Sequence, residues 1–346
     1  MSSFPAQANT SLLNRYLTPE IFNELKYLQT KTGFSLNQAI ESGLKNPDST
    51  IGIYAGDAES YRLFFKIFKP VIETYHKISI DQIHPSDLNP MDDRPTATLN
   101  HAIVSYRIRI ARNLKRFAFP TLMDDMDRAG VEELAVNALL KLKGDLKGSY
   151  IPLGELTKSQ RVTLAAEHLL FGRGDRFMEA AGINRNWPAS RGIFISDDHR
   201  FAVWINEEDH LRIISLDRTG TPRTTVGITK TYNRLARAMA HLEQNLKFAR
   251  DPLLGYLTSC PSNLGTGMRA GVHICLPGFK TWEKEITETA DKYQLQIRGT
   301  HGEKTEIKDN VVDISNRQRL GITEKKCIET LEQGLCAILA DQRFTG

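Results

Sequence analysis

The sequence has few cysteines, no long apolar run and no concentrated block of like charge. Its four cysteines show no CxxC spacing and follow no secretory leader, so we expect reduced thiols in a cytoplasmic protein, and neither a disulfide framework nor a zinc site. No apolar segment approaches the length that spans a membrane. The net charge of +4 is small and the arginines are scattered, which argues against nucleic-acid binding and favours a small anionic ligand.

Two common nucleotide-binding signatures are also absent. The chain contains neither GxxxxGK[ST] nor HRD followed by DFG. These absences exclude by motif the P-loop and the protein-kinase routes to ATP.

Helical signals dominate residues 1–95. Thr18 before a proline predicts one helix start, and Ser35 predicts another. The long amphipathic run after Asp57 places three aromatic side chains in the expected core, those of Phe64, Phe65 and Phe68. The polar, proline-punctuated segment 85–95 then indicates an interdomain linker.

Strand and helix signals alternate in residues 96–346. Strands are predicted near residues 103–110, 192–195, 200–205, 212–216 and 271–276, with helices such as 232–248 and 323–340 between and after them. The predicted class is therefore α+β: a small all-helical N-terminal domain, residues 1–95, followed by a larger domain, residues 96–346, with a mostly antiparallel β-sheet flanked by helices. Three of the four cysteines fall in predicted strand or helix and are expected in the core: Cys275, Cys327 and Cys336.

A glycine-rich loop at residues 260–273, CPSNLGTGMRAGVH, combines a thiol with an arginine. Cys260 is a candidate site residue because Ser262 and the amides of the turn can donate hydrogen bonds that favour its thiolate. Arg269 presents a planar fork suited to phosphate oxygens, and the backbone can approach a ligand closely at Gly265, Gly267 and Gly271. A structural glycine turn beside a buried cysteine is the alternative.

Three other segments carry charged residues in strand contexts. Strand periodicity in HAIVSYRIRIARNL puts Arg107 and Arg109 on one face. The segment FAVWINEEDHLRIISL concentrates charge between apolar strand halves, at Glu207, Glu208, Asp209, His210 and Arg212. LQIRGTHGEKT places Arg298 before a turn that carries Glu303 and that we expect to close over a ligand. Taken singly, these segments are also compatible with a solvated strand face, a polar loop and a hairpin tip.

Together the segments offer both positive and negative groups to a ligand. A nucleoside triphosphate carries about four negative charges and matches the arginines, while a cationic co-substrate matches the carboxylates and a thiolate. The combination predicts phosphoryl transfer to a positively charged acceptor.

The segments CPSNLGTGMRAGVHI, WINEEDHLRIIS, RGTHGE and GIYAGDAESY resemble the phosphagen (guanidino) kinase family, most closely its arginine kinases, and the similarity covers nearly the whole chain. The resemblance implies reversible transfer of the γ-phosphoryl group of MgATP to the guanidino group of L-arginine. It implies that the ATP phosphates are held by Arg107, Arg109, Arg212, Arg269 and Arg298, and that His168 and Asp313 lie near the nucleotide.

The resemblance also implies which residues meet the guanidine. Glu208 and Glu303 would grip the guanidinium, with Cys260 as a third contact, and these three are the implied catalytic residues. A short loop would contact the amino-acid end of the substrate through Ser49, Thr50, Ile51, Gly52 and Tyr54. Asp48 and Arg176 match a pair that bridges the two domains on closure.

Thr50 stands where arginine kinases usually have glycine, and its β-branched side chain narrows both the pocket and the freedom of the backbone. Taurocyamine and other guanidines therefore remain alternative acceptors, as does protein arginine, since RIRIARNL and GTGMRA also resemble bacterial protein-arginine kinases. A nucleotide-binding sensor without turnover is the non-enzyme alternative.

A free guanidinium is a poor nucleophile, so the enzyme has to orient it and remove a proton. Either Glu208 or Glu303 could serve as the base, and Glu208 is preferred. Magnesium is expected to bind through the nucleotide phosphates because the chain has no dense aspartate cluster. Loss of one glutamate or one phosphate arginine is expected to cost about 2–4 kcal/mol in the transition state. The chain is expected to be a monomer or a homodimer.

Overall fold

The structure is a computed structural model that describes residues 11–92, 102–219, 227–299 and 310–345. Within these ranges the chain forms a small helical N-terminal region and a larger region built on one eight-stranded antiparallel sheet. The predicted fold class is therefore confirmed.

Helices form the N-terminal region, and two of them are preceded by the predicted caps, Thr18 and Ser35. The helices are α1 (Leu12–Tyr16), α2 (Pro19–Leu25), α3 (Leu36–Lys45), α4 (Ser60–Leu63) and α5 (Phe65–His76). Thr18 caps α2, whose first residue is a proline, and Ser35 forms a reciprocal capping box with Gln38 at the start of α3.

The aromatic run around the start of α5 is less buried than predicted. Phe64 and Phe68 are fully buried, but Phe65 is 38% exposed, so its placement in the core was wrong. Residues four apart lie on the same side of a helix, whereas the next residue is turned about 100° away, which carries Phe65 to the solvent side.

The strands of the larger region are β1 (Ile103–Arg112), β2 (Gly148–Pro152), β3 (Gly192–Ser196), β4 (Phe201–Ile205), β5 (Leu211–Arg218), β6 (Arg250–Asp251), β7 (Gly255–Tyr256), β8 (Met268–Cys275), β9 (Leu295–Arg298) and β10 (Val311–Asn316). Eight of them form the main sheet in the order β2-β3-β4-β5-β1-β8-β10-β9, while β6 and β7 pair separately. Every pairing in the main sheet is antiparallel.

The helices of the larger region are α6 (Asp125–Leu139), α7 (Lys158–Ala166), α8 (Arg176–Ala180), α9 (Ile228–Asn245), α10 (Phe279–Lys292), α11 (Glu324–Leu339) and α12 (Gln342–Thr345). Helices α6, α9, α10 and α11 share one core with the apolar side of the sheet. Alternation along β1 sends Tyr106, Ile108 and Ile110 into that core. Arg107 and Arg109 therefore face the opposite side of the sheet.

The two regions are joined by a second core. It contains most apolar side chains of the N-terminal helices together with Leu254, Leu257 and Leu264 of the larger region. The backbone N–H of Ala55 donates to the carbonyl of Ser259 at 2.8 Å, and the hydroxyl of Tyr61 donates to the carbonyl of Thr258 at 2.7 Å. The N-terminal region therefore holds the start of the loop that carries Cys260.

Helix α11 buries one of its cysteines and exposes the other. Cys327 is buried and Cys336 is exposed, while Cys275 on β8 is partly exposed. Cys336 was wrongly placed in the core, because nine residues along an α-helix amount to about two and a half turns and bring it to the side opposite Cys327. In the described ranges no helix is both long enough and apolar enough to cross a membrane.

Candidate active site

Four arginines come together on the side of the sheet opposite helices α6, α9, α10 and α11. In the β1–β8 pairing Arg109 lies directly opposite Arg269, and Arg107 lies opposite Gly271. In the β1–β5 pairing Arg212 lies opposite Ala111, two residues beyond Arg109. We call Arg107, Arg109, Arg212 and Arg269 the arginine cluster.

The cluster is short of negative charge around β1. Burial lowers the pKa of Arg109 well below its ordinary value, and the neighbouring guanidinium groups of Arg212, Arg269 and Arg107 lower it further. Burial also lowers the pKa of Arg107 to about 10, with a partly compensating effect of Asp313. Because the guanidinium groups repel one another, a bound anion is favourable among them.

Two of the four arginines already have carboxylate partners. Arg269 Nη2 lies 2.6 Å from Asp313 Oδ2, and its Nε donates to the hydroxyl of Ser315 at 3.3 Å. A side chain at Gly271 would place its Cβ only 2.8 Å from Asp313 Oδ1, so the glycine leaves room for this pair. Arg212 pairs with Glu208, and its Nε lies 2.9 Å from Glu207 Oε2.

Arg298 and His168 reach the same side of the sheet. Arg298 on β9 lies opposite Asp313 on β10, and its Nη2 donates to Gln296 Oε1 at 2.8 Å. His168 is exposed just beyond the end of α7, and its ring stands edge-on to that of His273, with 6.2 Å between the ring centroids. Because His273 lies on β8 two residues beyond Gly271, His168 overhangs the face that carries the arginine cluster.

The turn between β4 and β5 is fixed by its buried polar residues. Asn206 donates to the carbonyls of Arg128 and Ser190 at 3.0 and 2.7 Å. Asp209 Oδ1 accepts from Asn113 Nδ2 at 2.8 Å and from the backbone N–H of Ser259 at 2.7 Å. Asp209 therefore ties the turn to the Cys260 loop.

His210 anchors the same turn on its other side. Its Nδ1 accepts from the backbone N–H of Leu114 at 2.9 Å, and its Nε2 lies 2.8 Å from the carbonyl of Ala118. With Asn206, Asp209 and His210 engaged in the fold, Glu207 and Glu208 are the acidic residues of the turn that face Arg212.

Glu208 has the environment of a base that titrates near neutrality. Burial raises its pKa to about 7, where Arg212 opposes the rise and the nearby Asp209 and Glu207 add to it. Its Oε2 also accepts a hydrogen bond from Asn263 Nδ2 at 3.3 Å. A carboxyl group with this pKa can exchange a proton close to physiological pH.

The contact expected to favour a thiolate at Cys260 is present and acts in the expected direction, but burial outweighs it. The two side chains are in contact, with 3.1 Å between Cys260 Sγ and Ser262 Oγ. Burial and the charge of Glu208 nevertheless raise the pKa of Cys260 to about 12, although Ser262 acts in the lowering direction. The group is therefore a neutral thiol near neutral pH in the protein alone, because burial outweighs one hydroxyl donor.

The loop implied to contact the substrate is built around a glycine with positive φ. Gly52 has φ +79°, and its N–H donates to Ser49 Oγ at 3.0 Å. Thr50 is exposed and its carbonyl accepts from the N–H of Leu12, while Ile51 and Tyr54 are buried. Burial raises the pKa of Tyr54 well above its ordinary value, and the charges of Cys260 and Glu208 raise it further, which places Tyr54 beside the acidic part of the site.

Asp48 and Arg176 form an ion pair between the loop after α3 and the first residue of α8. Arg176 Nη1 also donates to Asn46 Oδ1 at 3.2 Å. The contact implied by the resemblance therefore exists. Glu303 lies outside the described residues.

The structure adds site contacts that the sequence analysis missed. Asn263 bonds Glu208, Arg319 bonds Asn263, and His76 lies with its Nε2 2.9 Å from the carbonyl of Pro261. Asn263 stands in the glycine-rich loop and could have been singled out there. His76 and Arg319 are distant along the chain and carry no local signal.

Comparison with known protein families gives two matches. The model of the ATP:guanido phosphotransferase N-terminal domain matches residues 7–73, and that of the C-terminal catalytic domain matches residues 130–343.

Individual relatives agree with these matches. An arginine kinase of Amphioctopus fangsiao is 41% identical over 96% of this chain and 94% of its own. An arginine kinase of Anthopleura japonica is 43% identical over 95% of this chain but 46% of its own, so this chain spans about half the length of that relative. A solved structure of the duplicated taurocyamine kinase from Schistosoma mansoni, with bound transition state analog components, has a TM-score of 0.87 and 36% identity over 96% of this chain and 46% of its own.

Proposed function

Because the chain belongs to the ATP:guanido phosphotransferase family, we propose that it transfers the γ-phosphoryl group of MgATP reversibly to the guanidino group of L-arginine, giving phosphoarginine and ADP. The observation that carries the proposal is the ion pair between Arg212 and Glu208. This pair joins the arginine cluster, which suits an anion, to the partly buried acidic group, which suits a cation. A triphosphate bound by the arginine cluster and a guanidinium bound by Glu208 therefore lie next to each other.

The arginine cluster and Arg298 are the groups that hold the phosphates. Charge spreads over the γ-phosphoryl oxygens during transfer, and guanidinium groups that are already in position stabilise it without reorganising. Arg107 and Arg109 gain most from an anion because burial and their neighbours lower their pKa values. Asp313 holds Arg269 in place, and His168 lies at the nucleotide end of the site.

Glu208 orients the guanidinium and accepts its proton. A bidentate contact from Glu208 fixes the plane of the guanidinium in line with the phosphorus, and Glu303 is proposed to hold the opposite edge. A cation bound there lowers the pKa of both Glu208 and Cys260, which reverses the effect of burial. Cys260 thereby becomes a negative contact for the substrate and attacks nothing.

Magnesium is proposed to enter with the nucleotide. In the described part of the chain no group of His, Cys, Asp and Glu side chains could hold a metal ion by itself. The side chains that line the phosphate half are mainly guanidinium groups, which donate hydrogen bonds and cannot ligate a metal. When bound, the ion neutralises part of the charge on the β- and γ-phosphate oxygens.

Arginine is proposed as the acceptor because the named arginine kinase relatives match almost the whole chain. The substrate loop comprises Ser49, Thr50, Ile51, Gly52 and Tyr54, of which Thr50 is exposed. The second candidate is taurocyamine, which is favoured by the likeness to the Schistosoma mansoni enzyme and left open by Thr50, where arginine kinases usually have glycine.

A coupled assay with ATP, magnesium and a panel of free guanidines tests the proposal. Arginine should be phosphorylated with the highest kcat/KM, and ADP should appear in equal amount. Preference for taurocyamine selects the second candidate. Labelling of protein arginines alone, or nucleotide binding without turnover, rejects a free guanidine as the acceptor.

The organisation of the molecule is part of the proposal. We place the domain boundary at residue 95, with the helical domain and its guanidine-specificity loop at 1–95 and the catalytic ATP-binding domain at 96–346. The two separate family matches support this division. A cytoplasmic location and a monomer or homodimer are proposed with it.

A further inference from the structure

Arg319 carries a buried charge for which no carboxylate partner lies within 4.0 Å among the described residues. It follows β10 and is 8% exposed. Burial lowers its pKa, while Tyr75 acts in the raising direction and Arg298 in the lowering direction. Burying a guanidinium without an acid is unfavourable, so neutral acceptors have to hold it in place.

Those acceptors belong to the loop that carries Cys260. Arg319 Nη1 donates to the carbonyl of Ser262 at 2.8 Å and to Asn263 Oδ1 at 2.5 Å. The carbonyl of Arg319 accepts from the N–H of Thr266 at 2.9 Å. A side chain at Gly265 would bring its Cβ to 2.2 Å from that carbonyl, so a glycine is required for the approach. Arg319 therefore holds the loop at two points.

The chemistry of Arg319 decides which way the Asn263 amide points. A guanidinium has donors and no acceptor, so the atom of Asn263 that faces it has to be the oxygen. The amide nitrogen is then directed to the other side, where Asn263 Nδ2 donates to Glu208 Oε2 at 3.3 Å. With the amide reversed, an oxygen would face the carboxylate of Glu208 and repel it.

We propose that Arg319 is a positioning residue for phosphoryl transfer, which acts through Asn263 to keep an N–H donor directed at Glu208. The proposal rests on the proposed function, in which Glu208 accepts the proton of the guanidinium. The side chain of Arg319 donates hydrogen bonds to Ser262 and Asn263 and forms no ion pair with Glu208. Its role is to fix the orientation of the Asn263 amide, which contacts Glu208.

The link predicts a change in the acid–base behaviour of Glu208. A hydrogen bond donated to a carboxylate favours its ionised form, so losing the donor raises its pKa. The other charged and titratable groups that act on Glu208 are Arg212, Arg109, Asp209, Glu207, Cys260 and Tyr54. Arg319 itself interacts electrostatically with Arg212 and Cys260, so Arg319→Met also removes a nearby positive charge. Asn263→Ala removes the amide donor and keeps that charge, so a shift of the Glu208 titration in both variants reports on the amide.

The test compares Arg319→Met and Arg319→Lys with Arg112→Met as the matched control. Arg112 is likewise buried, donates to the carbonyls of Ala111 and Thr266, and makes no contact with Asn263. Arg319→Met should lower kcat by about 10- to 100-fold, because it removes a hydrogen bond to a charged group, and should leave KM for ATP within about twofold.

The pH profile separates positioning from general damage. In the profile of kcat/KM for the guanidine, which reports the free enzyme, the acidic limb should move to higher pH in Arg319→Met and stay in place in Arg112→Met. Arg319→Lys, which keeps one cationic donor near Asn263, should restore at least part of kcat and of the limb position. An unmoved acidic limb in Arg319→Met, or the same shift in Arg112→Met, overturns the proposal.

A structural readout works without turnover. A crystal structure of Arg319→Met should show the Asn263 amide turned, or its Nδ2 farther from Glu208 than a hydrogen bond allows. An unchanged contact overturns the proposal even when the wild-type protein phosphorylates no guanidine, so the two failures are distinguishable. Should Arg319→Met not fold, Asn263→Ala tests the same link, and absence of the pH shift in that variant equally rejects it.

Discussion

The phosphate half and the guanidine half of the candidate site are built in opposite ways. The arginine cluster stands mainly on paired strands, so hydrogen-bonded register sets its spacing. Glu208 and Cys260 stand on a turn and a loop, which are held by side-chain contacts from distant segments. The first half is therefore positioned by backbone pairing and the second by a network of single hydrogen bonds.

The two halves are alike in holding groups whose charged forms are disfavoured. Burial and like-charged neighbours lower the pKa of Arg109, whereas burial raises the pKa of Glu208 to about 7 and that of Cys260 to about 12. In each half, a bound ligand of the opposite charge stabilises the charged forms and so reverses these pKa shifts. The difference in construction predicts that substitutions in the guanidine half have the larger effect on chemistry.

The largest effect is expected for Glu208→Gln. The substitution removes the base and one negative contact while keeping the shape, so kcat should fall by about 100- to 1,000-fold. Nucleotide affinity should change by no more than about twofold, because the arginine cluster remains. Steady-state kinetics and nucleotide titration measure both.

Glu207→Gln is the matched control for this substitution, since Glu207 pairs with the same arginine through Nε. It should reduce kcat far less. Equal losses in the two variants, or full turnover in Glu208→Gln, would falsify the role given to Glu208.

Arg109→Met tests the phosphate half, and it should lower activity while raising stability. Removing one phosphate donor should lower kcat/KM for ATP by about 100-fold. Relief of the repulsion from Arg212, Arg269 and Arg107 should at the same time raise the free energy of unfolding by about 1 kcal/mol. Kinetics and urea denaturation on one preparation measure the two changes.

Arg116→Met, which replaces an exposed arginine four residues after the end of β1, provides the control. It should alter neither quantity. A large destabilisation by Arg109→Met would show that the arginine holds the fold together and is not strained in it.

Lowering the pH should reduce the free energy of unfolding, because the buried histidines that hold the guanidine half become protonated. Burial lowers the pKa of His76 to about 4 and that of His210 to about 3. Because the folded pKa values lie below the unfolded value near 6.5, the stabilisation is complete above about pH 6.5 and is lost progressively as the pH falls towards 4.

Glu208, whose pKa is raised, contributes to the pH dependence with the opposite sign, so the comparison has to be made between variants. His76→Gln can keep a donor to the carbonyl of Pro261 but cannot titrate. Its free energy of unfolding, measured by urea denaturation, should fall less than that of the wild type between about pH 6.5 and pH 5. Parallel curves would contradict the assignment of the neutral imidazole to this site.

The smallest effect is expected for Arg176→Ala. Arg176 and Asp48 are each about half exposed, so their ion pair should contribute no more than about 1 kcal/mol to the free energy of unfolding. Arg173→Ala, which breaks an equally exposed pair with Glu179, is the reference for an ordinary surface contact. A loss above about 2 kcal/mol for Arg176→Ala alone would make this contact a structural support of the boundary between the two regions.

Local patterns were sufficient for much of the fold. Caps at Thr18 and Ser35, and alternation along residues 103–110, predicted elements that the structure contains. Predictions failed where exposure depends on which side of a helix meets a neighbour, as at Phe65 and Cys336. The prediction of a thiolate at Cys260 failed for a related reason, since the spacing to Ser262 does not reveal the burial that raises the pKa of the thiol.

The residues that hold the site in place were harder to predict from the sequence. Arg319 lies 56 positions from Asn263 and is separated from it by a strand, a helix and a strand pair. No periodicity or spacing connects two such positions. Asp209 could be grouped with Glu208 from the sequence, but its separate role as an anchor for Ser259 required the fold.

The amino-acid sequence by itself determined the chemistry on offer: guanidinium groups on strands, carboxylates in one turn, and a thiol beside three glycines. Those properties depend on residue types and on the period of two or 3.6 residues, which are local. Tertiary structure alone decided which groups are charged and which way they point, because burial, mutual repulsion and hydrogen-bond direction depend on neighbours that are remote along the chain.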